Sequence, residues 1–192
     1  MLDNLKEKHL ILASKSPRRQ QLLKGLDIEF EIRTKDIEEI YDPSMENEKV
    51  PEFLAELKAK AFVDELHENE IVITSDTVVI HKGEILEKPK DALDAFEMVS
   101  KLSGSEHTVV TGVCVWSKDK RLTFSDHTQV EFEELSDEEI HYYIDKYSPF
   151  DKAGSYGVQE WIGYIGIKKL TGSYFNVMGI PLRKVYKALK EF

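Results

Sequence analysis

The run LILASKSPRRQQLL, residues 10–23, joins a short apolar segment to a helix with no linker between them. Leu10, Ile11, Leu12 and Ala13 form an unbroken apolar run of strand length. Ser16 then suits a helix N-cap, and Pro17 the first helical position, where its missing N–H costs nothing. Leu22, Leu23 and Leu26 give that helix an apolar face, and Gly25 lies near its end. A buried strand turning directly into a helix is the building unit of an α/β fold. The junction also has chemical meaning. The first turn of a helix leaves backbone N–H groups unpaired at the positive end of the macrodipole, so such a junction holds anions. Ser14 and Ser16 bring hydroxyls there, and Arg18 and Arg19 bring planar cations that match phosphate oxygens. An ordinary cap flanked by solvated arginines accounts for the same residues.

Working outward, IEFEIR at residues 28–33 alternates, so Ile28, Phe30 and Ile32 are expected on one face and Glu29, Glu31 and Arg33 on the other. After a polar loop over residues 41–49, Pro51 starts a helix with Phe53, Leu54, Leu57 and Ala61 at apolar spacing. IVITSDTVVI at 71–80 is β-rich, and the HKGE turn after it predicts a hairpin. Asp91 can cap a helix carrying Ala95, Phe96, Val99 and Leu102, with Gly104 past its end. Two long antiparallel strands are expected on either side of the KDK turn at residues 118–120. Ser136 and Glu139 have capping-box spacing ahead of Ile140, Tyr143, Ile144 and Tyr147. A Gly-rich stretch covers residues 148–179, and Pro181 opens a last helix with Leu182, Val185 and Leu189. Strands and helices interleave without strict alternation. The expected class is therefore α/β with a mixed sheet, as a single domain over residues 1–192.

Composition narrows the function. The 192 residues are 41% hydrophobic and 32% charged, enough for a core and for a water-facing surface. No apolar run approaches the roughly 18 residues of a membrane helix, and residues 1–12 lack the pattern of a secretory leader. The single cysteine, Cys114, excludes an intrachain disulfide and fits a reducing cytoplasm; within TVVTGVCVWS it reads as a buried thiol. A net charge of −10 disfavours a nucleic-acid polymer as partner. A small anion remains compatible, because a few cations can converge locally on an acidic chain.

Asp76 follows the apolar run Ile71-Val72-Ile73 and needs a partner, a metal or a proton. It suits a metal ligand or a base that activates water; a turn residue capping local N–H groups is the alternative. Thr77 beside it either contacts ligand or serves β propensity. Lys88 and Lys90 flank Pro89 in EKPK and read as solvated unless directed inward. Lys58 follows Leu54 and Leu57, so its stem is expected to be partly covered. In SPFDKAGSYGVQ, residues 148–159, two glycines permit close backbone approach to a ligand, with Lys152 for charge and Gln159 for a base edge. The six histidines show no metal spacing, and no Walker loop, GxGxxG or nucleophile elbow is present.

Together SxSPRR after a strand, SDTVV, EKP, DKAGSYGVQ and GSYFNVMGIPL, in that order, resemble the Maf family of nucleoside triphosphate pyrophosphatases. The resemblance runs from about residue 10 to 182. It implies an elongated, two-lobed α/β fold with a curved mixed sheet and a cleft, similar to inosine triphosphate pyrophosphatases. It implies hydrolysis of a nucleoside triphosphate between the α- and β-phosphates with a divalent cation, Mg or Mn, by a cytoplasmic homodimer. Asp76 matches the family's proton-accepting acid, and Glu39 the metal-side acid, with Glu38 one position away. Lys58, Lys88 and Lys152 match lysines around the triphosphate, and Ser14, Ser16 and Arg19 fall in the phosphate loop. Arg18, Thr77 and Gln159 mark the branch similar to dTTP/UTP pyrophosphatases, rather than the one acting on 7-methyl-GTP. A glutamine amide offers both donor and acceptor, as the uracil or thymine edge requires. One departure stands out: Glu160-Trp161-Ile162 follows Gln159 where many members are Gly-rich. The implied role is removal of unwanted nucleotides, with a link to cell-division arrest through septum formation. The competing readings are a non-catalytic nucleotide-binding regulator and a nucleotidyl transferase. Release of pyrophosphate separates the first, and a transferred group among the products the second.

Overall fold

The computed structural model describes residues 2–192. The expected α/β class and mixed sheet are both present. Strands β1 (His9–Leu12), β2 (Glu31–Ile32), β3 (Glu70–His81), β4 (Glu84–Leu86), β5 (Glu106–Ser117), β6 (Arg121–Phe132) and β7 (Ile167–Thr171) form one sheet of order β2-β1-β3-β5-β6-β7, with β4 also on β3. β1 pairs parallel with β2 and β3, whereas β3–β4 and β6–β7 are antiparallel. The helices are α1 (Pro17–Lys24), α2 (Val50–Lys60), α3 (Ala92–Leu102), α4 (Asp137–Tyr147), α5 (Trp161–Gly166), α6 (Tyr174–Val177) and α7 (Leu182–Leu189). None is long and apolar enough to cross a membrane among the described residues.

The chain divides into two compact units. Unit 1 holds residues up to Asp76, Thr111–Asp126 and Gly179–Phe192; unit 2 holds Thr77–Val110 and His127–Met178. In unit 1, Ile11 and Val72 of the parallel strands pack with Ala55 and Ala59 of α2, Phe62, Leu66 and Cys114. Burial pushes the Cys114 thiol up to about 11, which makes it an inert core group. Gly112 explains how α2 lies so close to β5. A Cβ there would stand 2.2 Å from the Pro51 carbonyl oxygen, so only glycine admits the helix. In unit 2, Val79, Val109 and Val130 of the strands pack with Val99 and Leu102 of α3 and Ile140 and Tyr143 of α4.

Local signals placed most elements. Ser16 caps α1, Asp91 caps α3, and Ser136 with Glu139 forms the capping box of α4. The β3–β4 turn uses Lys82 and Gly83, both at positive φ (48° and 83°), the conformation a two-residue hairpin turn demands. Three features differ from the sequence reading. Only Glu31 and Ile32 of residues 28–33 are strand, and Ile32 is exposed, because this edge is held by charge. Arg33 binds Glu31 and the buried Glu70 (both 2.9 Å), and His9 binds Glu31 (2.8 Å). On α2 the buried face is Val50, Leu54, Ala55 and Ala59, while Phe53 is exposed. The Gly-rich stretch, to which the sequence assigns no elements, holds α5, β7 and α6, and β7 is fixed by pairing with β6.

Candidate active site

In unit 1 the strand–helix junction forms as its residues require. Ser14 is buried and its Oγ accepts from Ser16 N (3.2 Å), while Ser16 Oγ accepts from Arg19 N (3.5 Å). Each hydroxyl is thus oriented by one bond and keeps its proton for a further acceptor. Arg19 bridges elements. Its Nε donates to Gly179 O (3.1 Å) and one Nη to Ser75 O (2.8 Å), and Ser75 Oγ also donates to Gly179 O (3.2 Å). Burial pulls the Arg19 guanidinium below its usual range; Asp76 and Glu39 oppose that shift, and Arg18 adds to it. Those four side chains therefore share one electrostatic neighbourhood.

Asp76 lies in the middle of β3, rather than at a strand end, and is buried. Its partner is Lys58, whose Nζ donates to Asp76 Oδ1 at 2.6 Å and stands 3.0 Å from Glu39 Oε1. The match of α2 to β3 explains the contact. Thr74 and Asp76 are two apart on one face of the strand, and Ala55 and Lys58 are three apart on one face of the helix. Thr74 Oγ1 donates to Ala55 O (2.6 Å), and one helical turn further Lys58 meets Asp76. The lysine stem is covered, as the sequence predicts; its side chain is 16% exposed. Of the two neighbouring acids it is Glu39 that pairs with Lys58.

This arrangement suits a hard divalent cation. Asp76 and Glu39 are oxygen donors that both pair with the Lys58 ammonium. No cluster of three or more His, Cys, Asp or Glu able to hold a metal occurs among the described residues. Two carboxylates with the remaining positions left to water and phosphate oxygens is the ordinary donor set for magnesium bound with a nucleotide.

In unit 2, Thr77 follows Asp76 on β3, half-buried on the opposite face. Lys88 is exposed in the EKP turn. That turn is tied to the DKAG segment by Gly154 N donating to Glu87 O (3.0 Å). Gly154 (φ 67°) packs on Val79, where a Cβ would lie 3.0 Å from a Val79 methyl. Lys152 is buried, with Nζ 2.8 Å from Asp151 Oδ1 and 3.1 Å from Glu160 Oε1. Gln159 is half-buried, and its side-chain Oε1 is enclosed without a hydrogen-bond partner among the described residues. A buried, unmatched acceptor is costly unless a ligand supplies the donor.

Sequence reasoning missed the second layer. The Gly179 O contacts with Arg19 and Ser75 and the Tyr143–Glu160 contact appear only when separate segments meet; the one signal in the chain was Glu160 itself.

Residues 9–192 match the family model described as Maf-like protein. The chain belongs to the Maf family. Curated Maf relatives include the dTTP/UTP pyrophosphatase of Flavobacterium johnsoniae, 53% identical over 97% of this chain and 96% of the relative. The dTTP/UTP pyrophosphatase of Parabacteroides distasonis is 48% identical over the whole of both chains. Among solved structures, the Staphylococcus aureus Ham1 protein aligns with 65% of this Maf chain and 72% of its own, at 17% identity and a TM-score of 0.49.

Proposed function

We propose that this chain is a nucleoside triphosphate pyrophosphatase that hydrolyses dTTP and UTP, and modified pyrimidine triphosphates of the same edge, to the monophosphate and pyrophosphate. The observation that carries the reading is the Asp76–Lys58–Glu39 constellation in a Maf chain about half identical, end to end, to proteins named dTTP/UTP pyrophosphatase.

Asp76 is the proton acceptor for the attacking water. Its carboxylate is oriented by Lys58, so attack meets a base already aimed. A divalent cation held by Asp76 and Glu39, magnesium or manganese, would supply neutralisation of the triphosphate charge. Lys58, Lys88, Lys152, Ser14, Ser16 and the Arg19 region act on the phosphates, and Arg18, Thr77 and Gln159 select the pyrimidine nucleotide. Lys152 reaches phosphate by exchanging one of its carboxylate partners. Phosphoryl transfer depends on such positioning and charge more than on covalent chemistry. We assign the enzyme to the cytoplasm as a homodimer, and light scattering on the purified protein tests the latter.

The experiment is turnover of a panel of dTTP, UTP, CTP, GTP and 7-methyl-GTP with magnesium and with manganese, products being resolved by ion exchange. Monophosphate and pyrophosphate from dTTP and UTP are expected. Release of single phosphates, or no turnover of either nucleotide, would overturn the reading.

A further inference from the structure

Four residues of unit 2 form a clamped turn around Gln159. Glu160 N donates to Gly157 O (3.0 Å), closing the turn through its backbone. Both ends then meet at one phenol. Tyr143 OH accepts from Gly157 N (3.0 Å) and donates to the Glu160 carboxylate through Oε2. Tyr143 is fully buried on α4, so that hydroxyl is a fixed point. Burial, followed by the bond to Glu160, raises the phenol above its ordinary value and keeps its proton in place.

Glu160 occupies the N-cap position of α5, where a carboxylate normally turns back to the first helical N–H groups; here it makes no such bond. The side chain points instead to Tyr143 through one oxygen and to Lys152 through the other. Gly157 completes the fit. A Cβ at that position would lie 2.7 Å from Glu160 Cδ, so the glycine is required for the carboxylate to sit there.

We propose that Tyr143 and Glu160 are positioning residues for base selection, which hold the 157–160 turn so that the Gln159 amide presents one orientation to the pyrimidine. This rests on the reading of Gln159 as the residue that meets the base. A fixed amide discriminates because uracil and cytosine exchange donor for acceptor at the 4-position. A loosened turn lets the amide rotate by half a turn and accept either base. The unmatched Gln159 Oε1 fits this role: it is held in place without an internal donor.

The test compares kcat/KM for UTP and CTP in the parent chain and in Tyr143→Phe, which removes the hydroxyl and keeps the ring. The UTP:CTP ratio is expected to fall about tenfold, the effect of one buried hydrogen bond, mainly through KM. Gly157→Ala, which displaces Glu160 without touching α4, is expected to lower the ratio similarly. Tyr147→Phe removes a hydroxyl from the neighbouring ring, stacked at 5.2 Å, and is expected to leave the ratio unchanged. Equal losses with both substrates, at an unchanged ratio in folded Tyr143→Phe and Gly157→Ala, would reduce the network to a structural role and overturn the proposal. A parent enzyme that fails to prefer UTP over CTP would instead overturn the underlying assignment of Gln159.

Discussion

The candidate residues of the two units are held in opposite ways. In unit 1, Lys58 joins Asp76 and Glu39 by side-chain ion pairs, and the Glu39 side chain is 47% exposed. In unit 2, Glu160, Tyr143 and Gly157 form a connected network whose central hydroxyl is fully buried. The half-exposed Glu39 can exchange its lysine for an incoming cation at smaller cost than the buried Asp76 can. The network of unit 2 resists exchange, because any member left unmatched carries a desolvation penalty. Under the proposed roles, the difference separates charge handling, which must adapt as phosphates arrive and leave, from recognition, which must stay rigid.

The largest expected effect tests the adaptable side. Asp76→Asn should lower turnover of dTTP about 100- to 1000-fold, the range for losing one aimed group in a phosphate or oxyanion site. Its thermal midpoint should stay near that of the parent. Near-parental pyrophosphate release would remove Asp76 from the chemistry.

The rigid side has its own signature in pH. Burial holds the His107 imidazole, which meets Tyr156 OH at 2.7 Å, down at about 3. The unfolded chain takes up that proton near 6.5, so stability is fullest above 6.5 and falls as pH drops. The slope reaches at most about 1.4 kcal/mol per pH unit, or roughly 2 kcal/mol between pH 7 and 5. Denaturant unfolding at the two pH values measures it, and His107→Gln should flatten the difference. An unchanged slope in that variant would mean that His107 is not the group responsible.

A smaller effect concerns the lysine between the acids. Lys58→Met removes the internal cation, so divalent metal should bind on the order of tenfold more tightly, while turnover falls. Calorimetry with magnesium or manganese alone reads the affinity. Weaker binding would show that Lys58 organises the carboxylates for the metal instead of competing with it.

The smallest effect is at the sheet edge of unit 1. Hydrogen bonding to Arg33 holds the Glu70 carboxyl below its ordinary range. That contribution is present above about pH 4.3 and is lost as pH falls through the lower folded value. It should amount to about 1 kcal/mol or less, since Arg33 is about one-third exposed. An Arg33→Met chain should lose correspondingly less stability between pH 5 and 3.

What the sequence made legible was local. The cap at Ser16, the capping box at Ser136 and Glu139, and the Lys82-Gly83 turn depend on residues within four positions of one another. The Asp76–Lys58 contact could be anticipated in part, since a carboxylate in an apolar strand requires a partner. β7 was not legible, because Ile167–Thr171 becomes a strand only by pairing with β6. Nor was the burial of Lys152. The sequence offers that lysine as a charge for a ligand, and its burial beside Glu160 arises only when the turn folds. Ile32 misled for a related reason: alternation identifies two faces, but the ion pairs of Arg33 decide which one turns to water.

Asp76 and Thr77 are neighbours on one β-strand, facing opposite ways. Deleting or inserting a single residue earlier in that strand would turn the acid to the threonine's side and the threonine to the acid's. Either side chain can therefore be replaced without turning the other, whereas a change in strand length exchanges the faces of both.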